Sequence, residues 1–117
     1  MNTFSPVQMA VASGKADVFD HVDNDGPMWS AVGKRWARTV IQFDAPFLLP
    51  PAVQLSIAMI DADSGKNLRL ELSTEDVTGK GFTVVAHTWS DTRIGRLQVN
   101  WTAIGQSDAS SDPLWNV

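Results

Sequence analysis

The chain has 117 residues, 44% of them hydrophobic and 19% charged, which is typical of one globular domain and excludes a wholly disordered chain. Nine basic residues against thirteen acidic ones give a net charge of -4, which argues against a protein that grips nucleic-acid phosphates. The absence of cysteine excludes disulfides and cysteine-ligated zinc, and no apolar run approaches the ~18 residues of a membrane span. Neither a nucleic-acid partner nor a membrane partner is therefore expected.

The N-terminal third shows little regular patterning. Residues 1–6 lack the basic and apolar regions of a conventional secretion signal, so none is expected, and a cytoplasmic and a released or particle-associated location both stay open. A weak sixth strand is predicted within residues 7–18. Residues 20–33 are rich in loop-forming side chains, and residues 27–36 allow a short helical turn.

Five segments further along alternate between apolar and polar residues, which predicts strands with one buried face each. They span residues 37–43, 53–59, 68–73, 82–88 and 96–104. In the last segment Trp101 shares the apolar face, so it is predicted to lie in the core. Short turns separate the last four segments, so consecutive strands are expected to pair as hairpins, whereas the proline-rich residues 44–51 are expected to cross between sheets.

The predicted fold is all-β, a small six-stranded antiparallel β-sandwich over residues 1–105, followed by a polar C-terminal tail at residues 106–117. Val40, Val85 and Ile104 fall on the second faces of their strands and would be exposed in a lone domain. Three copies around an axis would cover these side chains, so self-association as a trimer or hexamer is expected.

Groups suited to catalysis or metal binding are scarce. His87 lies mid-strand on the less apolar face and is interpreted as a surface or interface histidine rather than a general base. The acidic loop at residues 20–26 offers Asp23, Asn24 and Asp25 as calcium ligands, but an EF-hand register through it begins and ends on the wrong residue types. Turn formation is the preferred interpretation of these side chains, with calcium as the open alternative. No enzyme activity, cofactor or metal is therefore expected.

Six short motifs follow one another in the second two-thirds of the chain. They are Ile41-Gln42-Phe43-Asp44-Ala45-Pro46-Phe47, Pro50-Pro51-Ala52-Val53, Asn67-Leu68-Arg69, Gly81-Phe82, Thr88-Trp89-Ser90-Asp91-Thr92 and Val99-Asn100-Trp101-Thr102-Ala103-Ile104. In this order and spacing they resemble the H-type lectins, which include invertebrate agglutinins and the C-terminal domain of the discoidins. The resemblance implies a six-stranded sandwich that trimerises, sometimes into stacked hexamers. It also implies sites for galactose or N-acetylgalactosamine at the subunit interfaces, without catalysis.

Part of the family's sugar site is implied by matching residues. Arg69 and Trp89 match its sugar-contacting arginine and tryptophan, and a guanidinium group can donate to hydroxyls while an indole packs on a sugar's C–H surface. Ser90 stands where a family agglutinin can have histidine, and Gly95 stands where it can have tyrosine. Asp91 belongs to a Trp-x-Asp pattern of discoidin-like members, and it either accepts a sugar hydroxyl or fixes the turn.

The resemblance further implies an acidic residue from the neighbouring subunit, which would align near Val32. Asp23 or Asp25 is the candidate replacement in this chain. Two function classes stay open. The first is a multivalent carbohydrate-binding, lectin-like module with a glycan ligand. The second is a structural trimerisation or assembly module of a phage tail fibre or related particle, without sugar binding.

Overall fold

The computed structural model describes residues 8–108 and contains six strands and one short helix. The strands are β1 (Met9–Asp20), β2 (Arg35–Gln42), β3 (Ala52–Ala62), β4 (Glu71–Glu75), β5 (Gly81–Thr88) and β6 (Ile94–Gln106), and the helix is α1 (Pro27–Ser30). The prediction of an all-β, six-stranded sandwich is confirmed, and β1 is the weak sixth strand. Within the described residues, no helix is long and apolar enough to cross a membrane.

The six strands form two three-stranded antiparallel sheets. In the first sheet β6 lies between β1 and β3, and in the second sheet β5 lies between β2 and β4. The connection from β2 to β3 crosses between the sheets, as predicted, and β4 pairs with β5 as expected for a hairpin. The hairpin prediction is wrong for β3–β4 and for β5–β6, because these connections also cross between the sheets. Packed sheets lie only about 10 Å apart, a distance that a few extended residues can span.

The core is built mainly on the two central strands. Its buried residues there are Phe82, Val84 and Ala86 of β5 and Ile94, Leu97, Val99, Trp101 and Ala103 of β6. Trp101 is 9% exposed, which confirms its predicted place in the core. The centroid of its ring lies 5.7 Å from that of Phe43 and 5.6 Å from that of Phe82. Its indole also covers the backbone of β1, since a Cβ atom added to Gly14 would lie 2.8 Å from Trp101 Cζ2.

The predicted faces are wrong in the second half of β3. A bulge between Ile57 and Met59 shifts the register, so that Ile60 rather than Met59 packs against the core. Ile57 is 48% exposed, because β4 has only five residues and leaves this part of the sandwich open. The start of β4 also differs from the prediction, since the strand begins at Glu71 and Leu68 is exposed.

One of the three outward-facing apolar residues is buried, contrary to the prediction. Val40 and Ile104 are 69% and 45% exposed, whereas Val85 is only 3% exposed. Arg38 lies opposite Val85 on β2 and reaches across β5 to Glu75 on β4, with Nε 3.2 Å from Oε2. The paired side chains therefore cover Val85, and this face offers less apolar surface for assembly than predicted.

Three connections come together at one end of the sandwich, called the loop end below. The strand pairings place the ends of β1, β3 and β5 beside the starts of β2, β4 and β6. The connecting segments that meet there are residues 21–34, 63–70 and 89–93. This arrangement gathers chain segments that are far apart in the sequence.

The opposite end holds the described ends of the chain. β6 ends at Gln106, and Ser107 forms an isolated bridge with Phe47. Residues 1–7, which include the start tested for a secretion signal, and residues 109–117 of the predicted tail lie outside the described residues.

Candidate functional site

A buried arginine holds the β5–β6 connection against the β1–β2 connection. Arg35 is 5% exposed, and its Nη2 donates to the Ser90 carbonyl at 3.2 Å while its Nε donates to the Gly33 carbonyl at 2.8 Å. The Gly33 amide donates to the same Ser90 carbonyl at 2.9 Å. Ser90 has a φ of 63°, a left-handed conformation that non-glycine residues adopt only when their surroundings enforce it. The two hydrogen bonds to the Ser90 carbonyl hold Ser90 in this conformation and fix the loop around it.

Two buried threonines fix the backbone of Arg69. The Thr88 hydroxyl donates to the Arg69 carbonyl at 2.5 Å, and the Thr92 hydroxyl accepts from the Arg69 amide at 3.0 Å. Thr92 also donates to the Asn67 carbonyl at 2.5 Å. Arg69 lies two residues before β4, and its backbone is bound by these threonine hydroxyls instead of by strand pairing. The prediction that Arg69 lies within a strand, over residues 68–73, is therefore wrong, although its backbone is well anchored.

The anchored segments bring Arg69 and Asp91 together, and we call these two residues the site pair. Arg69 Nη1 lies 3.2 Å from Asp91 Oδ1, and the side chains are 35% and 45% exposed. Asp91 therefore orients the arginine, while the other guanidinium donors have no partner among residues 8–108 and can bind a ligand. Trp89 and Ser90 precede Asp91 in the same loop, so the structure gathers all four predicted site residues at the loop end.

Trp89 continues into a row of stacked rings on the outer side of the second sheet. The ring centroids of Trp89 and His87 are 5.3 Å apart, and those of His87 and Trp36 are 4.5 Å apart with planes at 13°. His87 Nδ1 lies 3.1 Å from the Arg35 carbonyl oxygen, which can only accept, so Nδ1 carries a proton. We call Trp36, His87 and Trp89 the ring row. No local sequence pattern predicts the ring row, because only the register of β2 and β5 places Trp36 opposite His87.

A second arginine, Arg93, connects the three loop-end segments, and no sequence motif predicts this role. Arg93 Cζ lies 4.1 Å from the ring centroid of Trp29, and its Nε donates to the Trp29 carbonyl at 2.9 Å. Its Nη1 lies 3.1 Å from Asp63 Oδ2. The amide of Gly65, which donates to the Asp63 carboxylate, and then Arg93 lower the pKa of that carboxyl. The charged group of Arg93 therefore makes its contacts within the chain, with Trp29 and Asp63.

The acidic loop forms turns with its own side chains. Asn24 Oδ1 accepts from the Gly26 amide at 3.0 Å, which is the turn chemistry expected from the sequence. Neither Asp23 nor Asp25 makes a hydrogen bond or ion pair with the site pair within the described part of one chain. Their contribution from a neighbouring subunit stays a prediction. No group of three or more acidic or histidine side chains close enough to hold a metal ion occurs among residues 8–108.

A separate cleft of about 550 Å³ lies at the opposite end of the sandwich. Ala12, Gln42, Pro46 and Trp101 are among the residues that line it, and no predicted site residue does. Its volume alone gives no chemistry. The candidate site is therefore identified by the charged pair and the exposed aromatic rings at the loop end.

The H-type lectin domain model matches residues 38–104, which is more than half of the chain. The chain belongs to the H-type lectin family. A Fuscovulum blasticum protein named ATP synthase subunits region ORF 7 is 35% identical to this H-type lectin chain over 109 residues, which are 93% of each protein. One discoidin-1 chain of Dictyostelium discoideum is 27% identical over 99 residues, and that match covers 84% of this chain and 38% of the discoidin.

The fold is shared with a solved discoidin structure. Recombinant discoidin II of Dictyostelium discoideum matches with a TM-score of 0.75 at 23% identity, over 92% of this H-type lectin chain and 41% of that protein. The chain therefore spans only about two-fifths of the discoidins that it matches. The predicted family resemblance is confirmed. The matched segment includes Arg69, Trp89, Ser90 and Asp91, whereas Trp36 and the acidic loop precede it.

Proposed function

We propose that this H-type lectin chain is a carbohydrate-binding module that recognises a glycan through Arg69, Trp89, Ser90 and Asp91 and catalyses no reaction. One observation carries the proposal. The 3.2 Å pair of Arg69 and Asp91 lies in the same anchored loop region as a 37% exposed tryptophan. Membership of the family supports the lectin function.

The chemistry of the site suits a neutral sugar. The guanidinium group of Arg69 donates to hydroxyl oxygens, and the carboxylate of Asp91 accepts from hydroxyl groups. Because the two charges compensate each other, a charged ligand gains little from either. The indole of Trp89 packs on the C–H face of a sugar ring. Galactose and N-acetylgalactosamine combine such faces and are the first candidates.

Two positions distinguish this site from the one that the resemblance implies. Ser90 offers a short hydroxyl group in place of histidine. Gly95 has no side chain where a tyrosine can stand, and it has no room for one, since an added Cβ would lie 2.2 Å from Val22 Cγ2. Gly95 therefore contributes no side chain to the site, and Val22 takes up the space next to it.

We propose that copies of the chain assemble as a trimer or hexamer, which would raise weak single-site affinity through multivalency. Ile57 on β3 and Leu68 in the β3–β4 connection support assembly, because these apolar side chains are 48% and 56% exposed. Apolar surface of this kind commonly marks a protein contact. In such an assembly, Asp23 or Asp25 of a neighbour would add an acceptor to the site pair.

A structural assembly module without sugar binding, such as part of a phage tail fibre or related particle, is the second candidate. The same exposed apolar side chains favour it, because assembly needs this surface whether or not a glycan binds. This candidate predicts a stable oligomer that binds no glycan.

Two substitutions at the site test the proposed function. We expect Arg69→Ala and Trp89→Ala each to lower the affinity for the best glycan of a broad panel by at least about tenfold, with nearly unchanged melting curves. Calorimetry measures the affinity. Arg38→Ala is the matched control, because it removes an arginine from an exposed pair with Glu75, also at 3.2 Å, away from the loop end.

The outcomes separate the two candidates. A stable oligomer that binds nothing on the panel favours the assembly module. Normal glycan binding by both site variants means that the site lies elsewhere, and unfolding of both means that the two residues are structural. Light scattering that shows a stable monomer at micromolar concentration refutes the proposed assembly and the interface site with it.

A further inference from the structure

Trp36 presents an aromatic surface that the core does not use. It stands on the outer face of β2 and is 48% exposed, although burial of an indole is one of the larger apolar gains available in folding. A single exposed apolar residue needs no explanation. Trp36 is different because it is the end of a continuous ring row that begins at the proposed site.

The ring row is anchored by the same residue that fixes the site loop. His87 stacks with both indoles, at 4.5 Å from Trp36 and 5.3 Å from Trp89, and its Nδ1 donates to the Arg35 carbonyl at 3.1 Å. The Arg35 guanidinium group in turn donates to the Ser90 carbonyl at 3.2 Å. Both tryptophans are therefore held in place before a ligand arrives, which lowers the entropy lost on binding.

An acceptor group lies on the other side of the row. Glu71 on β4 is opposite His87 in the sheet register, and it is exposed. Within the described residues its carboxylate has no hydrogen bond or ion pair. Glu71 also follows Arg69 by two residues, so the acceptor continues the line of polar groups that begins at the site pair. Aromatic rings beside a free carboxylate suit a sugar unit, which has both C–H faces and hydroxyl groups.

We infer that the site extends along the ring row to Trp36, and that its ligand is an oligosaccharide with at least two sugar units. One sugar unit contacts Trp89 and the site pair. The next unit packs along His87 and Trp36, and Glu71 accepts a hydrogen bond from it. This inference rests on the proposed function and names the ligand class of the same site. A monosaccharide would fill only the first position.

Calorimetry with matched ligands tests the second position. The ligands are galactose and N-acetylgalactosamine, each as a monosaccharide and as a trisaccharide that ends in that sugar. We expect Trp36→Ala to lower the trisaccharide affinity roughly two- to tenfold and to leave the monosaccharide affinity unchanged. Trp36→Phe keeps an aromatic ring and should lose less. Val40→Ala is the control, because Val40 is 69% exposed on the same face of β2, and it should change neither affinity.

The outcomes distinguish failure of the extended site from failure of the proposed function. If the wild-type chain binds both ligand forms and Trp36→Ala matches it on both, the extended site is wrong and the proposed function stands. If the wild-type chain binds neither form of either sugar, the proposed galactose-type function fails, and the extended site fails with it. If Trp36→Ala changes the mass of the oligomer in solution, Trp36 is a subunit contact, and the inference is overturned.

Discussion

Replacement of Trp101 by alanine tests the position of the core most directly. The side chain is 9% exposed, and its ring centroid lies within 5.7 Å of two phenylalanine rings. A buried indole removes about 150–250 Å² of apolar surface from water. At ~25 cal/mol per Å², the loss of this burial amounts to about 4–6 kcal/mol. Large-to-small changes in protein cores usually cost about 3–5 kcal/mol. We therefore expect the free energy of unfolding to fall by about 3–5 kcal/mol, a large part of a typical total of ~5–15 kcal/mol.

Urea unfolding followed by far-ultraviolet circular dichroism measures this loss. All variants are compared at one protein concentration, because self-association links stability to concentration. Trp36→Ala is the control, since it makes the same chemical change at a side chain that is 48% exposed and stacks on His87, and it should lower the free energy of unfolding by only about 1–2 kcal/mol. If Trp101→Ala does not fold, Trp101→Phe provides a milder change with an intermediate loss. A loss below ~1 kcal/mol for Trp101→Ala, or equal losses for both tryptophans, would refute the placement of Trp101.

Two further changes test the loop end. Gly95→Ala is expected to lower the melting temperature, because the new Cβ would lie 2.2 Å from Val22 Cγ2. The double variant with Val22→Ala, which removes that methyl group, should regain most of the lost melting temperature. An unchanged melting temperature for Gly95→Ala would contradict this packing. Burial, which outweighs the nearby Asp20 carboxylate, lowers the pKa of His21 from 6.5, and its Nδ1 accepts from the Met28 amide at 3.2 Å. The unfolded chain therefore binds a proton at His21 more tightly than the folded chain does. The stabilisation of the fold by neutral His21 is complete above pH 6.5 and is lost as the pH falls towards the lower pKa of the folded state. Melting temperatures between about pH 7.5 and about pH 5 should therefore fall less for His21→Asn, whose amide oxygen can still accept a hydrogen bond, and equal slopes would disprove the assignment.

The strands were predictable wherever one face is buried and the register is regular. In β6 the alternation places Trp101 on the apolar face, and the structure buries it. The same rule failed in β3, because the bulge between Ile57 and Met59 adds a residue without a clear sign in the local sequence. The hairpin prediction failed for a similar reason. A short connection can turn back within one sheet or cross to the other, and only packing of the apolar faces decides between them.

The candidate site was predictable in part because its residues lie in short family motifs. Arg69 and Asp91 were named from those motifs, and the structure places them 3.2 Å apart. The ring row depends on which residues of β2 and β5 face each other, and a pairing across 51 positions, as between Trp36 and His87, leaves no local pattern. The buried position of Val85 was missed for the same reason, because its cover comes from side chains on two other strands.

The described ends of the chain lie side by side at the far end from the site. The Ser107 amide donates to the Gln8 carbonyl at 2.7 Å, and Ser107 also pairs with Phe47 in the β2–β3 connection. A carrier protein, a fibre or a bead joined through residue 8 or residue 108 would therefore hold the domain by that end, with the loop end on the far side. The same closeness means that a short linker could join residue 8 to residue 108, and the chain could then be opened at another connection.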